Sequence, residues 1–161
     1  KEFVKFNERC MIGLLGDMRS YNYVIIPTHD FDQVVYRIRP IDFDQQCYEG
    51  NLKIYLPQYF KENKKMVDLV QEKLRTNSIE QYRKEVRSAI AKRASNDSRL
   101  EHLIDIMKQD HISKPESVEE LKVALQKLTF NSKFKKCTTM GDILEAGLNF
   151  VIKNYRNSNM R

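Results

Sequence analysis

Leu15-Gly16-Asp17-Met18-Arg19-Ser20-Tyr21-Asn22 and, further on, Ile41-Asp42-Phe43-Asp44 are the two stretches whose reading decides the fold. Before the first, Phe3, Phe6, Cys10, Met11 and Leu14 recur at helical spacing, so residues 1–15 read as a helix that Gly16 ends. Between the two stretches, Tyr23-Val24-Ile25-Ile26 is apolar and β-branched, and Val34 to Ile41 alternates. Pro27 to Gln33 has a turn composition, so the two strands are expected to pair as a hairpin. From Pro57 onward the pattern is helical. Met66, Val70 and Leu74 stack on one face. Ser78 with Gln81, Ser98 with Glu101, Ser117 with Glu120 and Thr139 with Asp142 each read as a capping box before an apolar stripe. The last helix is apolar on several sides and is expected to be buried. The fold class is therefore mainly α with one small antiparallel β-hairpin, in a single domain over residues 1–161. Its first part (1–60) carries the two decisive stretches and the hairpin, and its second (61–161) is a bundle of helices.

The residue types in these stretches suit phosphoryl transfer. That reaction needs a carboxylate to orient or deprotonate the acceptor hydroxyl, hard oxygen ligands for magnesium, and positive charge near the transferred group. Asp17 and Asn22 in one loop, Arg19 between them and Asp42 after the next strand supply such groups. Asp-Phe-Asp-Gln occurs twice, at 30–33 and at 42–45. The first copy falls where the hairpin must turn, so Asp30 and Asp32 read as turn residues and the second copy as the metal loop.

Asp17 and Asn22 match the Asp-x-x-x-x-Asn spacing of the protein-kinase catalytic loop, and Asp42-Phe43 matches the start of the Asp-Phe-Gly motif that follows its hairpin. The chain thus resembles the C-terminal lobe of the protein-kinase-like superfamily. Gly16-Asp17 is closest in style to aminoglycoside phosphotransferases and other small-molecule kinases. The resemblance implies Asp17 as catalytic base, Asn22 and Asp42 as magnesium and nucleotide ligands, and Asp44 as a further carboxylate on the metal side. It places Arg19 where many kinases carry a basic residue that touches the γ-phosphate. It further implies Mg2+ and ATP as cofactors, an unknown phosphate acceptor, and a partner lobe upstream. The chain departs from the pattern at Leu15, where the family has His, and at Asp44, where it has Gly. It has no Gly-rich loop and no strand lysine of the Val-Ala-Ile-Lys type; both belong to the N-terminal lobe. Lys1 rather than Met opens the chain, and a preceding segment is expected. The isolated chain is not expected to turn over efficiently, because the lobe that clamps the phosphates lies outside it.

Composition bounds the alternatives. The 161 residues are enough for one core, and 41% of them are apolar, which argues against disorder. No stretch approaches the roughly 20 continuous apolar residues of a spanning helix, so no membrane partner is expected. Cys10, Cys47 and Cys137 are odd in number and far apart, which argues against a zinc site or disulfide scaffold and for a reducing, cytoplasmic setting. The net charge of +6 is concentrated after residue 60. Arg83, Lys84, Arg87, Lys92 and Arg93 crowd one helix, and Lys133, Lys135 and Lys136 form a second cluster. The competing function is thus a basic helical module for nucleic acid or protein, with solvated helix faces as the commoner use of such charge. A third reading is a pseudokinase-like scaffold that keeps the lobe without the chemistry.

Overall fold

Residues 1–156 are described by a computed structural model. Among them are six α-helices and one two-stranded antiparallel sheet: α1 (Glu2–Gly13), β1 (Tyr23–Asp30), β2 (Gln33–Pro40), α2 (Lys64–Lys73), α3 (Thr76–Ala94), α4 (Ser98–Gln109), α5 (Pro115–Thr129) and α6 (Met140–Tyr155). The mainly α fold with a small hairpin expected from the periodicity is the fold observed. The range 61–161 runs five residues past the described ones.

Two apolar clusters divide the interior, and α1 serves both. Phe3, Phe6 and Cys10 of α1 join Met18, Tyr23 and Ile38, with Met66, Val67 and Val70 of α2 packed against them. Ile12 and Leu14 join the larger cluster around α6, where Ile143, Leu144 and Val151 meet Ala91 of α3, Ile104 of α4 and Leu121 of α5. The many-sided apolar character of α6 follows from this central place, with α3 and α4 packed along it. No helix of the described residues is long and apolar enough to cross a membrane.

The hairpin departs from its expected shape. Pro27 to Asp30 was expected to turn, yet β1 runs straight through it, with Pro27 opposite Tyr36 and Asp30 opposite Gln33. Only Phe31 and Asp32 are left to reverse the chain, so Asp30 and Asp32 do stand at the turn. The proline is tolerated for a reason the register supplies. The Ile41 amide donates to the Asn22 carbonyl at 3.0 Å, so hydrogen-bonded pairs alternate from there and Pro27 falls in a non-bonded pair.

Helix starts also shift. Only Thr139 forms its capping box: its hydroxyl accepts from the Asp142 amide while the Asp142 carboxylate accepts from the Thr139 amide. Ser98 gives way to Asp97, whose carboxylate accepts from Arg99 and Leu100 amides. Ser78 and Ser117 lie inside α3 and α5, because the helices begin earlier, at Thr76 and, with proline at its first turn, at Pro115. Leu74 follows the end of α2 in extended backbone rather than continuing its stripe. Pro57 opens a single 3-10 turn, Pro57–Tyr59, not an α-helix.

Candidate functional site

The loop that carries Asp17 begins earlier than the glycine suggested. α1 stops at Gly13, and Leu14 takes the left-handed conformation at φ 48°, with its amide and that of Leu15 closing on the carbonyls of Met11 and Cys10. Gly16 is needed for a different reason: a Cβ there would meet the carbonyl oxygen of Gln45 and, at 2.9 Å, the Gln45 Cβ. The residue is small so that the 41–47 loop can lie against the 13–22 loop.

Alternation then sorts the side chains. Met18 is fully buried in the smaller core cluster, which roots the loop, while Asp17 and Arg19 on either side are partly exposed. Asp17 itself is left-handed at φ 55°, a conformation Asp tolerates better than most residues. Its backbone amide donates to the Ile54 carbonyl at 3.0 Å. Its carboxylate Oδ1 accepts from Arg19 Nε at 2.6 Å, and its backbone carbonyl accepts from Asn22 Nδ2 at 2.8 Å. Asp17, Arg19 and Asn22 therefore form one knot within a six-residue loop. Because the Asn22 nitrogen is committed to Asp17, its Oδ1 is the free end of the amide; no protein group among the described residues donates to it.

Arg19 has further partners that nothing in the sequence marked. Its Nη1 donates to Glu62 Oε1 at 3.1 Å, and its guanidinium lies 4.8 Å from the centre of the Phe60 ring. The hydrogen bond to Asp17 raises the Arg19 pKa, so it stays charged. The Glu62 carboxyl is held below its usual range, first by a hydrogen bond from its own amide and then, against desolvation, by Arg19. One residue on, Asn63 is almost wholly buried. Its Nδ2 donates to the carbonyls of Met18 (2.9 Å) and Pro57 (2.8 Å), and its Oδ1 accepts from the Tyr23 hydroxyl (2.8 Å). It thereby ties the loop to the first residue of β1. The polar run Lys61-Glu62-Asn63-Lys64-Lys65 reads as a solvated stretch, so neither residue carried a signal in the sequence.

Asp42 and Asp44 lie in a loop pinned at both ends to the same segment. Ile41 N donates to the Asn22 carbonyl at one end; Cys47 N donates to the Leu14 carbonyl at 2.9 Å, and Gln46 Nε2 to the Gly13 carbonyl at 3.1 Å, at the other. Asp42 Oδ1 accepts from the Asp44 amide at 3.1 Å, an Asx turn that leaves Oδ2 unengaged. No hydrogen bond among the described residues joins either side chain to the Asp17 knot. Nor does any set of three His, Cys, Asp or Glu side chains among them come together as a metal cage. Magnesium does not require one: it is commonly held by one or two carboxylates, with phosphate oxygens and water completing the shell. The free oxygens here, Asn22 Oδ1 and Asp42 Oδ2, are of the hard type it prefers. The chain matches no protein-family model, no curated protein and no solved structure.

Tyr48 and Tyr59 are exposed, whereas Tyr55 is fully buried and donates to the Glu49 carbonyl. In the basic region, Arg87 Nε is bound at 2.6 Å to the buried Glu8, so that charge is spent inside the fold, while Arg83 Nη1 pairs at 2.6 Å with the partly exposed Glu80. Lys133, Lys135 and Lys136 sit together on the 3-10 turn Ser132–Lys136, with no ion pair among the described residues.

Proposed function

We propose that this chain carries the catalytic and metal loops of an ATP-dependent, kinase-like phosphotransferase, as the C-terminal lobe of a longer parent. The observation that supports the reading best is the tethering just described. A six-residue loop with Asp and Asn at its ends is knotted through the Asn22 amide, and the Asp42 loop is hydrogen-bonded at one end to Asn22 and at the other to Gly13 and Leu14, just before that loop. In the Asp17 carboxylate Oδ1 accepts from Arg19, and Oδ2, with only a long 3.5 Å contact from Asn22 Nδ2, would accept the proton of an acceptor hydroxyl. Arg19 is a permanent cation beside that carboxylate and would bring positive charge to a transferring phosphoryl group, while its Nη1 donates to Glu62 and its guanidinium lies over the Phe60 ring. Asn22 Oδ1 and Asp42 Oδ2 would hold magnesium, which would supply positive charge to offset the charge that builds on the phosphate.

The test is made on the full-length parent, with nucleotide binding and ATP turnover measured with and without magnesium. Asp42→Ala is expected to weaken metal-dependent nucleotide binding. Asp17→Ala is expected to lower turnover by about 100-fold or more while leaving nucleotide binding close to wild type. Unchanged turnover in the first-loop variant together with unchanged binding in the second-loop variant would refute the assignment.

A further inference from the structure

We propose that the cavity bordered by α1, α2, α3, α5 and α6 is a binding site for a small organic acid with a long apolar body, a function independent of the phosphotransferase reading. Its volume is about 590 Å³, within the range of roughly 300–1,000 Å³ usual for small-molecule sites. Most of the wall is apolar, with Phe134, Leu125 of α5, Ile143, Phe150 and Val151 of α6, Val67 and Val70 of α2 and Ile79 of α3 among its lining. Three charged residues line it: Glu8, Arg83 and Arg87.

The charges do not balance within the wall. Glu8 is the buried acid, 5% exposed, and accepts from Arg87 Nε at 2.6 Å; Arg83 Nε stands 3.8 Å from its other oxygen. Arg87 Nη1 donates to the Tyr155 hydroxyl, and Arg83 Nη1 is drawn outward by Glu80, which does not line the cavity. That leaves the Nη2 group of each arginine with no acceptor among the described residues and reachable by solvent, on two side chains that line a largely apolar space. A guanidinium donor next to an apolar wall is matched by an acid head on an alkyl body: the head accepts the spare hydrogen bonds and the chain removes apolar surface from water. A nucleotide would leave its polar ring and sugar against leucine and phenylalanine, and would be a poor occupant.

Gly147 gives a clean way to close the site. It lines the cavity, and a Cβ there would meet Phe134 at 4.0 Å, an ordinary contact, so the backbone accepts a side chain that would take up part of the space. Replacing an interior helix glycine also improves helix propensity. The experiment titrates decanoate and decanol, each below its aggregation limit, into the folded chain while following the methyl resonances of Leu125, Ile143 and Val151. Decanoate is expected to shift them saturably and to bind roughly tenfold or more tighter than decanol, the worth of one charge-assisted hydrogen bond. Arg83→Met should erase that difference, and Gly147→Leu should abolish binding of both with the thermal midpoint kept or raised. If Gly147→Leu fails to fold, Leu128→Trp at the exposed wall serves as the block. No saturable shift, equal affinity for acid and alcohol, or wild-type binding in a folded blocked variant would each overturn the proposal.

Discussion

At Gly16 the space a side chain would fill is taken by Gln45 of the following loop, and the contact is with backbone, which has no rotamer to yield. Gly16→Ala must push the two loops apart, and overpacking of this kind typically costs about 1–3 kcal/mol. The urea midpoint should fall accordingly, and since only the contact between the loops is changed, far-ultraviolet circular dichroism should be unaltered. A variant as stable as the wild type would show that the 41–47 loop is not seated on Gly16. Asn63 makes a sharper case. Its carboxamide bonds two carbonyls and a phenol in a site closed to water, so Asn63→Leu leaves the Met18 carbonyl and the Tyr23 hydroxyl without partners, while the Pro57 carbonyl keeps the Phe60 amide. Each buried orphan costs about 1–3 kcal/mol, so this exchange of similar volume should be among the most destabilising single changes in the first half of the chain. Chemical denaturation measures it, and a loss under about 1 kcal/mol would mean that water or a neighbour replaces the amide.

At the scale of elements, what the sequence disclosed was pattern, and what it concealed was the partner of each end. Periodicity found every helix from α2 to α6 because apolar stripes arise from the core they face. Helix starts were read from Ser or Thr three residues before Glu, Gln or Asp, and only Thr139 behaved so. At α4 the better acceptor, Asp97, stands one position earlier; at α5 proline fixes the first turn. The Asp17, Arg19, Asn22 loop was legible because its members are local, whereas Glu62 and Asn63 reach it from more than 40 residues away, a distance no periodicity reports. The hairpin shows the same limit. Its two-residue turn puts Phe31 at φ 50° with the ring fully exposed, while Asp32 keeps negative φ, the geometry in which glycine is favoured at the first central position. Phe31→Gly should therefore keep the register and hold or raise stability, by up to about 1 kcal/mol. Cross-strand contacts between Thr28 and Val35, seen by nuclear Overhauser effects, would check the register, and their loss would show that the phenyl ring rather than the turn geometry maintains it.

The molecule as a whole is organised by α1, which shares one face with the hairpin cluster and another with the α6 cluster, so that both cores seal thiols. Cys10 lies in the first; Cys47 and Cys137 lie in the second. All three are free and buried, and desolvation is the leading cause that pushes Cys10 and Cys47 up to about 12 and Cys137 to about 11, from an ordinary value of 9.0. A group whose folded pKa is raised contributes stability that is present below its unfolded pKa and is lost as pH climbs through its folded one. Above pH 9 the unfolded chain releases thiol protons while the folded chain retains them, so the unfolded state binds fewer protons and unfolding becomes easier with rising pH. The loss should thus run from about pH 9 toward 12, by up to about 1.4 kcal/mol per pH unit for each thiol. Toward pH 10 the tyrosines of the unfolded chain ionise as well, and burial raises Tyr23 and Tyr55 in the folded one, so the cysteine share of the slope is the part that replacing a cysteine removes. Urea midpoints taken from pH 7 to 10 should stay level to about pH 8.5 and then decline. Cys10→Ala and Cys47→Ala should each begin less stable at pH 7, because a cavity is opened, yet decline more gently above pH 9. An alkaline slope that neither substitution alters would place the titrating groups elsewhere, and rapid reaction of the native protein with a thiol reagent at pH 8 would show that the two cores do not seal them.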